Sequence, residues 1–536
     1  MIDPTTMDGV RTGREAWARR VRLSASQPFL LADGQVFTYG EVHERAARYA
    51  GALVGLGVEL GTRVMVGLSN RAETMVLHVA LLQLGAVAVP LQGGLTFEEL
   101  AYQIHHCEAR ILIADAPVTE TLAPRLAELP QIRVFVADGT MPTAASPPTD
   151  PSPTTLPLRA LEEGPRLPWR ELPGHGRQSP ALILYTSGST GRPKGVILPS
   201  GAFPSAGAAF NDRFGFGPAD TYFLPLTMAH ALGVLTAPAM AVMAGGGLSI
   251  VDGFSPTRFW SQVAHNGSTA SILVPTHLNL LLETADAAGP VDVPTSLRLV
   301  ITHAWNEPFR ARFSAELALV WGMTETGALC TGGAPGHKGE RDGFVGTPMT
   351  GVHVETRDET GQAQPPGQAG EICLHHPDAM IGYLKDPDAT AATLEEGWVR
   401  SGDLGVLDER GALTFLGRIK NMIKRSGENI SAEEVEAAFT ALPGVSECLA
   451  FGIPDRIRHE EVAVVVVCPE PIPPAELIAQ VAQSLARWKV PRFLAMQDLP
   501  LPRLGNGKVD RTTAQQDFDP SCAYDRHSAS SGRGNN

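Results

Sequence analysis

The chain has 536 residues, of which 43% are hydrophobic, and it carries a net charge of −14 at pH 7. This length exceeds one ordinary hydrophobic core and predicts two or three domains. The negative charge argues against extended binding to nucleic acid, which needs a positive face, although a local basic patch could serve an anionic cofactor. Nowhere do about 18 apolar residues run together, so no membrane span is expected.

The six cysteines stand apart from one another without paired spacing, which argues against a disulfide framework or a zinc cluster. The first 30 residues contain no apolar stretch after a basic start, so no signal peptide is expected. A reducing cytoplasm is therefore the expected location.

The N-terminal part of the chain alternates between strand and helix patterns. Capping boxes of the form Ser/Thr-x-x-Glu, at Thr38–Glu41 and Thr96–Glu99, each predict the start of a helix. Between them, Arg63–Leu68 reads as a buried strand and Glu73–Gly85 as a mostly apolar helix. This alternation predicts an α/β fold with a largely parallel sheet.

A loop rich in glycine and hydroxyl residues follows the strand-like run Ala181–Tyr185 and ends in Pro193 and Lys194. Backbone N–H groups of such a loop can approach phosphate oxygens, while hydroxyls and an ammonium neutralise their charge. It is not the Walker pattern, because no Gly-Lys-Ser/Thr begins a helix. A flexible connector would not require the Pro-Lys ending, so phosphate binding is favoured.

Lysine is scarce, with seven residues against thirty-six arginines. A base-composition bias explains the low total but not the placement, since lysine offers a compact point charge and arginine a planar fork. The lysines are Lys194, Lys338, Lys385, Lys420, Lys424, Lys489 and Lys508.

The C-terminal region predicts a smaller α+β domain of about 100 residues. Ser431 with Glu434 predicts a helix cap there. The predicted strands are Val399–Val406, Ala412–Leu416, Glu447–Ile453 and Glu461–Val467, and a further helix is predicted over Pro474–Trp488. From Asp519 onward the tail is small and polar, and disorder is expected.

Several motifs resemble, in order, those of the adenylate-forming superfamily of acyl-CoA synthetases, adenylation domains and beetle luciferases. The resemblance covers about residues 25–515 and rests on Tyr185–Gly195, Trp321–Glu325, Ser401–Asp403, Gly417–Arg418 and Gly505–Arg511. It implies a large N-terminal α/β domain of mixed sheets flanked by helices (1–418), which binds ATP and the acyl group. A small mobile C-terminal α+β lid (419–518) and a tail (519–536) would follow.

The same resemblance implies how ATP and Mg²⁺ would be held. The β- and γ-phosphates would contact Thr186, Ser187, Gly188, Ser189, Thr190, Gly191 and Lys194. In the segment Trp321-Gly322-Met323-Thr324-Glu325, Trp321 would stack on adenine, Thr324 would contact phosphate and Glu325 would help to hold Mg²⁺. Asp403 would accept hydrogen bonds from the ribose hydroxyls, and Arg418 would approach the ribose or phosphate.

The catalytic lysine implied by the resemblance is Lys508, whose ammonium would bridge the substrate carboxylate and the α-phosphate. Lys420 would lie at the hinge of the lid. Lys424 and Gly427 fall in the segment that resembles the lining of a pantetheine tunnel. His230 resembles the histidine that borders the acyl pocket, although a lone histidine on an apolar stretch is more often a core residue.

One segment departs from the family pattern. Where relatives carry a Gly-Ala-Pro type sequence, this chain has Thr302–Trp305, and the span to Trp321 is shortened. These residues normally shape the adenine and acyl pockets, so the change bears on substrate placement. The candidate pocket segments 207–214, 229–235, 302–305 and 327–330 are rich in Ala and Gly, which favours a bulky alicyclic or aromatic acid.

The first hypothesis is therefore an ATP-dependent carboxylic acid:CoA ligase that forms an acyl-adenylate and then, after the lid rotates about Lys420, a thioester. In the second hypothesis the acyl-AMP passes to the phosphopantetheine of a carrier protein or to a partner enzyme. The third is an inactive nucleotide-binding homologue, against which the intact Lys194, Glu325 and Lys508 count. A homodimer is the default assembly.

Overall fold

A computed structural model of the protein describes residues 6–138, 153–186, 193–289, 292–327, 331–425, 428–456, 458–504 and 507–527. The helices are α1 Gly13–Ser24, α2 Tyr39–Gly55, α3 Ala72–Leu84, α4 Phe97–Cys107, α5 Ala116–Leu122, α6 Ala202–Phe214, α7 Ala237–Ala244, α8 Phe259–His265, α9 Pro275–Ala288, α10 Glu307–Phe313, α11 Pro387–Thr393, α12 Ala432–Thr440, α13 Pro474–Val481 and α14 Arg511–Gln516.

The strands in the first half of the chain are β1 Pro28–Ala32, β2 Gln35–Thr38, β3 Arg63–Gly67, β4 Val87–Pro90, β5 Ile111–Ala114, β6 Val134–Ala137, β7 Thr154–Pro157, β8 Pro180–Thr186, β9 Lys194–Pro199, β10 Thr221–Leu224, β11 Gly247–Ile250 and β12 Ala270–Ile272. Those in the second half are β13 Leu299–Thr302, β14 Leu317–Trp321, β15 Thr331–Gly332, β16 Thr347–Pro348, β17 His353–Arg357, β18 Ala369–His375, β19 Gly382–Tyr383, β20 Leu394–Glu395, β21 Trp398–Leu407, β22 Leu413–Arg418, β23 Met422–Arg425, β24 Glu428–Ser431, β25 Glu447–Asp455, β26 His459–Val467, β27 Phe493–Gln497 and β28 Tyr524–Asp525.

The chain divides into two units that are discontinuous in sequence. The first consists of Met1–Val354, Cys373–Ser401 and Arg410–Leu413, and the second of Glu355–Ile372, Gly402–Glu409 and Thr414–Asn536. The sequence boundaries at residues 418 and 518 are continuous, and they stay a prediction about functional domains. Among the described residues, no helix is both long and apolar enough to cross a membrane.

The first unit contains two large, mostly parallel sheets. One has the order β19-β9-β8-β4-β3-β5-β6-β7. In it the β8–β9 and β9–β19 pairs are antiparallel, and the pairs from β8 to β7 are parallel. The other has the order β16-β15-β14-β13-β12-β10-β11-β1-β2, and its strands from β14 to β1 are parallel. The predicted α/β class with a largely parallel sheet is confirmed.

The local signals in the sequence start the helices where expected. Thr38 and Thr96 form capping boxes with Glu41 and Glu99, which satisfy the first free N–H groups of α2 and α4. Helix α3 is buried on nearly every side, which explains why its sequence is apolar without a polar stripe.

The second unit is built on a sheet of order β24-β23-β26-β27-β28, with β25 beside β26. Helices α12 and α13 contribute Val435, Phe439, Leu477 and Val481 to its core. The predicted helix Pro474–Trp488 is too long, because α13 ends at Val481 and the chain turns so that Leu485 joins the same core.

The segment after Asp519 also differs from the expectation of disorder. Tyr524–Asp525 pairs antiparallel with Phe493–Leu494, and the Asp525 carboxylate lies 3.1 Å from the Arg492 guanidinium. Residues 528–536, the rest of the predicted tail, lie outside the described residues.

Helices α6 and α7 lie in close contact because of a glycine. A Cβ atom at Gly207 would lie 2.3 Å from the Ala239 carbonyl oxygen, and backbone cannot yield as a flexible side chain does. We expect Gly207→Ala to lower the free energy of unfolding by about 1–3 kcal/mol. Urea denaturation followed by circular dichroism measures it. Gly55→Ala is the matched control, since nothing lies within 4 Å of that position and it should be neutral or slightly stabilising.

The buried His78 on α3 makes the first unit sensitive to acid. Burial lowers the pKa of His78 to about 4, and its Nε2 has no hydrogen-bond partner in the part of the chain described. Between pH 6.5 and pH 4 the unfolded state therefore binds more protons than the folded state, so stability falls with falling pH by up to about 1.4 kcal/mol per pH unit.

We expect His78→Leu to flatten this dependence, as measured by urea unfolding at pH 7 and pH 4.5. His265→Leu, at an exposed position, is the control and should leave the slope unchanged. Equal slopes for wild type and His78→Leu would contradict the assignment of this pH dependence to His78.

Candidate active site

The carboxyl edge of the nine-stranded sheet carries some of the residues that the sequence marked for chemistry. Strands β10, β12, β13 and β14 are neighbours and parallel, so the segments that follow them leave the sheet on the same side. His230 follows β10, His303 follows β13, and Thr324 and Glu325 follow β14. Open α/β sheets bind ligands at this edge.

Tyr383 lies between two of the predicted residues. Its hydroxyl donates a hydrogen bond of 2.7 Å to Glu325 Oε1, and Lys194 Nζ lies 4.9 Å from the centre of its ring. Both Tyr383 and Glu325 are 9% exposed. Burial and the neighbouring Glu325 carboxylate raise the pKa of Tyr383, so its hydroxyl keeps the proton that it donates.

Tyr383 reaches this position through β19, which pairs antiparallel with β9 and sets Tyr383 opposite Val196. In the same segment the Met380 N–H donates a 2.7 Å hydrogen bond to the main-chain carbonyl of Glu325. The segment of β19 therefore links two elements of the first unit. One is the Thr324–Thr326 turn, which follows β14 of the nine-stranded sheet, and the other is β9, which begins at Lys194 in the eight-stranded sheet. Sequence reasoning missed Tyr383, because Gly382-Tyr383 alone carries no chemical motif.

The residues of this group include one carboxylate, that of Glu325, which suits Mg²⁺ as a ligand. Glu325 offers hard oxygen atoms, and the Lys194 ammonium, which contacts the same tyrosine, can balance phosphate charge. No group of three or more His, Cys, Asp or Glu side chains that could hold a metal ion occurs in the described part of the chain. Proteins commonly hold Mg²⁺ through one or two carboxylates together with substrate phosphates and water.

Two histidines lie at the same edge. His303 is accessible to solvent, yet the surrounding protein lowers its pKa to about 4, and His230 adds to the effect. The hydroxyl of the preceding Thr302 is fully buried and has no hydrogen-bond partner among the described residues. The sequence marked His303 only as a departure from the family pattern.

The glycines of the predicted pocket segments serve packing. A Cβ at Gly207 would meet the carbonyl of Ala239, and a Cβ at Gly233 would lie 2.1 Å from the carbonyl oxygen of Thr227. Gly233 lies in a π-helical turn, Leu232–Thr236, which begins two residues after His230. At these two positions glycine permits close backbone approach, and its presence says little about the size of the acyl group.

The remaining predicted residues of the first unit end or follow strands. Thr186 ends β8 opposite Lys194, Trp321 ends β14 with its side chain 8% exposed, and Gly322 and Met323 lead into the Thr324–Thr326 turn. Ser187, Gly188, Ser189, Thr190 and Gly191 lie outside the described residues, as do Gly427 in the second unit and the side chain of Lys424.

The second unit contains its own charged group. Arg418 Nε lies 2.8 Å from Oδ1 of Asp403, whose carboxylate is almost fully buried. The Lys508 side chain is accessible, but surrounding protein lowers the pKa of its ammonium, and Arg418 adds to this effect. The pKa of Lys420 is lowered in the same way, first by burial and then by Arg418 and Arg511. These predicted residues therefore form one electrostatically connected group.

A largely parallel α/β sheet with a carboxylate after one of its strands, beside a second sheet that carries an ammonium, is typical of enzymes that bind a ligand at the carboxyl edge of the sheet. The family can be named as well. The family model for AMP-binding enzymes matches residues 17–384, and the model for their C-terminal domain matches residues 434–508. The chain belongs to the AMP-binding enzyme family.

Two characterised relatives extend over most of the chain. The sulfoacetate–CoA ligase of Cupriavidus necator is 31% identical over 501 residues, which is 90% of this chain and 94% of the relative. The crotonobetaine/carnitine–CoA ligase of Salmonella paratyphi B is 30% identical over 484 residues, which is 88% of this chain and 92% of the relative.

Solved structures share the fold. The ATP-bound MatB of Rhodopseudomonas palustris superposes with a TM-score of 0.78 at 27% identity, covering 94% of this chain and 98% of that one. The anthranilate CoA ligase AuaEII in complex with anthranoyl-AMP gives a TM-score of 0.83 at 22% identity, covering 94% and 96%. The predicted fold, with a large N-terminal and a smaller C-terminal part, is confirmed.

Removal of the Tyr383 hydroxyl tests the group around Glu325. Tyr383→Phe keeps the ring near Lys194 and leaves the buried Glu325 carboxylate without its phenolic donor, a loss that costs about 1.5–3 kcal/mol for a charged acceptor. We expect the Mg²⁺ concentration for half-maximal pyrophosphate release to rise about tenfold, because the carboxylate is no longer held in place, and the thermal midpoint to fall. Tyr222→Phe, at another buried tyrosine, which lies in β10 of the nine-stranded sheet, is the control. Identical Mg²⁺ titrations for Tyr383→Phe and wild type would count against the grouping.

Proposed function

We propose that the protein is an AMP-forming carboxylic acid:CoA ligase. One observation carries this proposal: Lys194 and Glu325, from two different sheets of the first unit, both contact Tyr383. An ammonium and a carboxylate held on one phenol can serve a polyphosphate and its divalent cation together. The CoA ligases among the relatives support the same activity.

In the first half-reaction a carboxylate oxygen of the acid attacks the α-phosphorus of ATP. The bond to the β-phosphate breaks, so that pyrophosphate leaves and an acyl-adenylate forms. Lys194, together with Thr186–Gly191, would bind the β- and γ-phosphates, and Thr324 would donate a hydroxyl to phosphate. Trp321-Gly322-Met323 would border adenine. Glu325 would hold Mg²⁺, which supplies charge neutralisation for the phosphates when bound.

The second unit would supply the ribose contacts and the catalytic lysine. Asp403, which forms an ion pair with Arg418, would accept hydrogen bonds from the ribose hydroxyls. The ammonium of Lys508 would orient the acid carboxylate against the α-phosphate and stabilise the charge that develops there. The lowered pKa of Lys508 fits this role, because a cation that surrounding protein and Arg418 disfavour gains most from an approaching anion.

In the second half-reaction the CoA thiolate attacks the acyl carbonyl, and AMP leaves. We propose that Lys420 is the hinge of a lid formed by residues 419–518, and that Lys424 and Gly427 line the path of pantetheine. A carrier protein in place of CoA is the alternative acceptor. For location we propose the cytoplasm, on the scattered cysteines, and for assembly a homodimer, the commonest closed arrangement.

The proposed substrate is a carboxylic acid, and a panel of acids tests which chemical class the protein activates. The protein is incubated with Mg-ATP and a panel of aliphatic, aryl, alicyclic, sulfonated and betaine-type acids, with and without CoA, and products are read by mass spectrometry. Acyl-CoA that forms only with CoA supports the ligase. Accumulation of acyl-AMP in the presence of CoA supports transfer to a carrier protein, and no product with any acid would leave the inactive homologue.

Replacement of the catalytic lysine separates the two half-reactions. We expect Lys508→Ala to slow acyl-adenylate formation by about 10²–10³-fold, the usual cost of losing one donor that stabilises developing charge. Formation of the thioester from synthetic acyl-AMP and CoA should stay near the wild-type rate. Lys489→Ala, which removes an ion pair with Glu434 in the same unit, should leave both rates unchanged. Full adenylation activity in Lys508→Ala would show that this mechanism is wrong.

A further inference from the structure

Helix α4 contacts the paired strands β8 and β9 near Lys194, the first residue of β9. The Tyr102 hydroxyl donates a 3.0 Å hydrogen bond to the carbonyl of Pro193, the residue before Lys194. One turn further along α4, His106 Nδ1 lies 2.9 Å from the Tyr185 hydroxyl, and Tyr185 is paired with Gly195 across the β8–β9 ladder. The first contact holds the peptide carbonyl before Lys194, and the second holds the side chain of Tyr185, whose main chain pairs with the residue after Lys194.

The aromatic side chains form one packed group. The Tyr102 and His106 rings stack with their centres 5.3 Å apart and their planes at 15°, and both meet the Tyr185 ring edge-on. The Tyr185 hydroxyl also lies 3.3 Å from the main-chain carbonyl of Gln103. The positions of the hydroxyl groups are therefore set by helix α4.

A third contact joins the end of α4 to the segment of Tyr383. Glu108 caps the C-terminus of α4, and its carboxylate lies 2.8 Å from Nζ of Lys385, two residues beyond Tyr383. The same carboxylate lies 3.3 Å from the Arg63 guanidinium. Both partners are exposed, so this pair contributes little free energy. The pair nevertheless shows what Lys385, one of the few lysines of the chain, contacts. The backbone of Lys385 has a left-handed φ of 53°.

The core does not require these polar contacts. Leu100, Ile104 and Cys107 of α4 are fully buried in the core beside the eight-stranded sheet and fix the helix there. Tyr102 and His106 lie on another face, half-buried. The Tyr102 hydroxyl contacts Pro193, just before the start of β9, and the His106 imidazole contacts Tyr185 near the end of β8.

We propose that Tyr102 and His106 are positioning residues that orient Lys194 toward the β- and γ-phosphates of ATP. This inference rests on the proposed function, in which Lys194 binds those phosphates. The hydrogen bond from Tyr102 fixes the peptide carbonyl next to Lys194, and the bond between His106 and Tyr185 fixes the opposite strand. Loss of either bond lets the Lys194 ammonium occupy more positions, and ordering it on binding then costs conformational entropy.

Tyr102→Phe tests the proposal because it keeps the stacked ring and removes one hydrogen bond. The dissociation constants of Mg-ATP and of AMP are measured by calorimetry, which needs no knowledge of the acid. We expect the constant for Mg-ATP to rise about 3- to 10-fold, the usual effect of one hydrogen bond. The constant for AMP should stay the same, because AMP lacks the phosphates that Lys194 binds.

Tyr39→Phe is the matched control. Its hydroxyl donates to the main-chain carbonyls of Ala241 and Gly246 at 2.9 and 2.8 Å, so the same chemistry is lost at a place remote in sequence from Lys194. We expect a lower thermal midpoint and an unchanged ratio of the two constants. His106→Phe, which keeps an aromatic ring, should reproduce the ratio change of Tyr102→Phe.

The positioning role would be overturned if Tyr102→Phe weakened the binding of Mg-ATP and of AMP equally, or if it weakened the binding of neither. Wild-type protein that binds AMP but gains nothing from the additional phosphates of Mg-ATP would overturn the role proposed for Lys194 and this inference with it. Wild-type protein that binds neither nucleotide would overturn the proposed function itself. The three failures are therefore distinguishable.

Discussion

The candidate site of the first unit depends on the hydrogen bond between Tyr383 and Glu325. A carboxylate that is 9% exposed needs a donor, because desolvation of an unpaired charge costs several kcal/mol. Tyr383 supplies this donor from a two-residue strand that belongs to the other large sheet. Its ring also lies under the Lys194 ammonium, so one side chain relates the charged groups at the edges of both sheets.

The segment that presents Tyr383 is held by a second buried charge. The fully buried Asp378 carboxylate receives both arms of the Arg177 guanidinium at 2.6 Å and the Ser205 hydroxyl, and its own N–H donates to His376. Gly201 makes room, since a Cβ there would collide with the Asp378 carboxylate. A fully paired network of this kind holds one loop conformation, and that loop carries the N–H of Met380 to the main chain of Glu325.

The second unit is organised around an unequal balance of charge. Asp403 is the buried anion, Arg418 pairs with it, and Lys420 and Lys508 both have lowered pKa values, with Arg418 among the causes. A group with more cations than anions attracts an anionic nucleotide.

The sequence by itself determined the features that act over a few residues. Capping boxes, the alternation of strands and helices and the order of the motifs predicted the fold class, both helix starts at Thr38 and Thr96, and the family. It misplaced the end of α13 and expected disorder where Tyr524–Asp525 pairs, because those depend on which core accepts Leu485 and which edge strand is open. Only the tertiary structure brought Tyr383 to Glu325, Tyr102 to Pro193 and Asp378 to Arg177, since these partners lie 58, 91 and 201 residues apart and no local pattern encodes such contacts. The same holds for Gly207 and Gly233, which read as pocket lining in the sequence and permit close backbone packing in the fold.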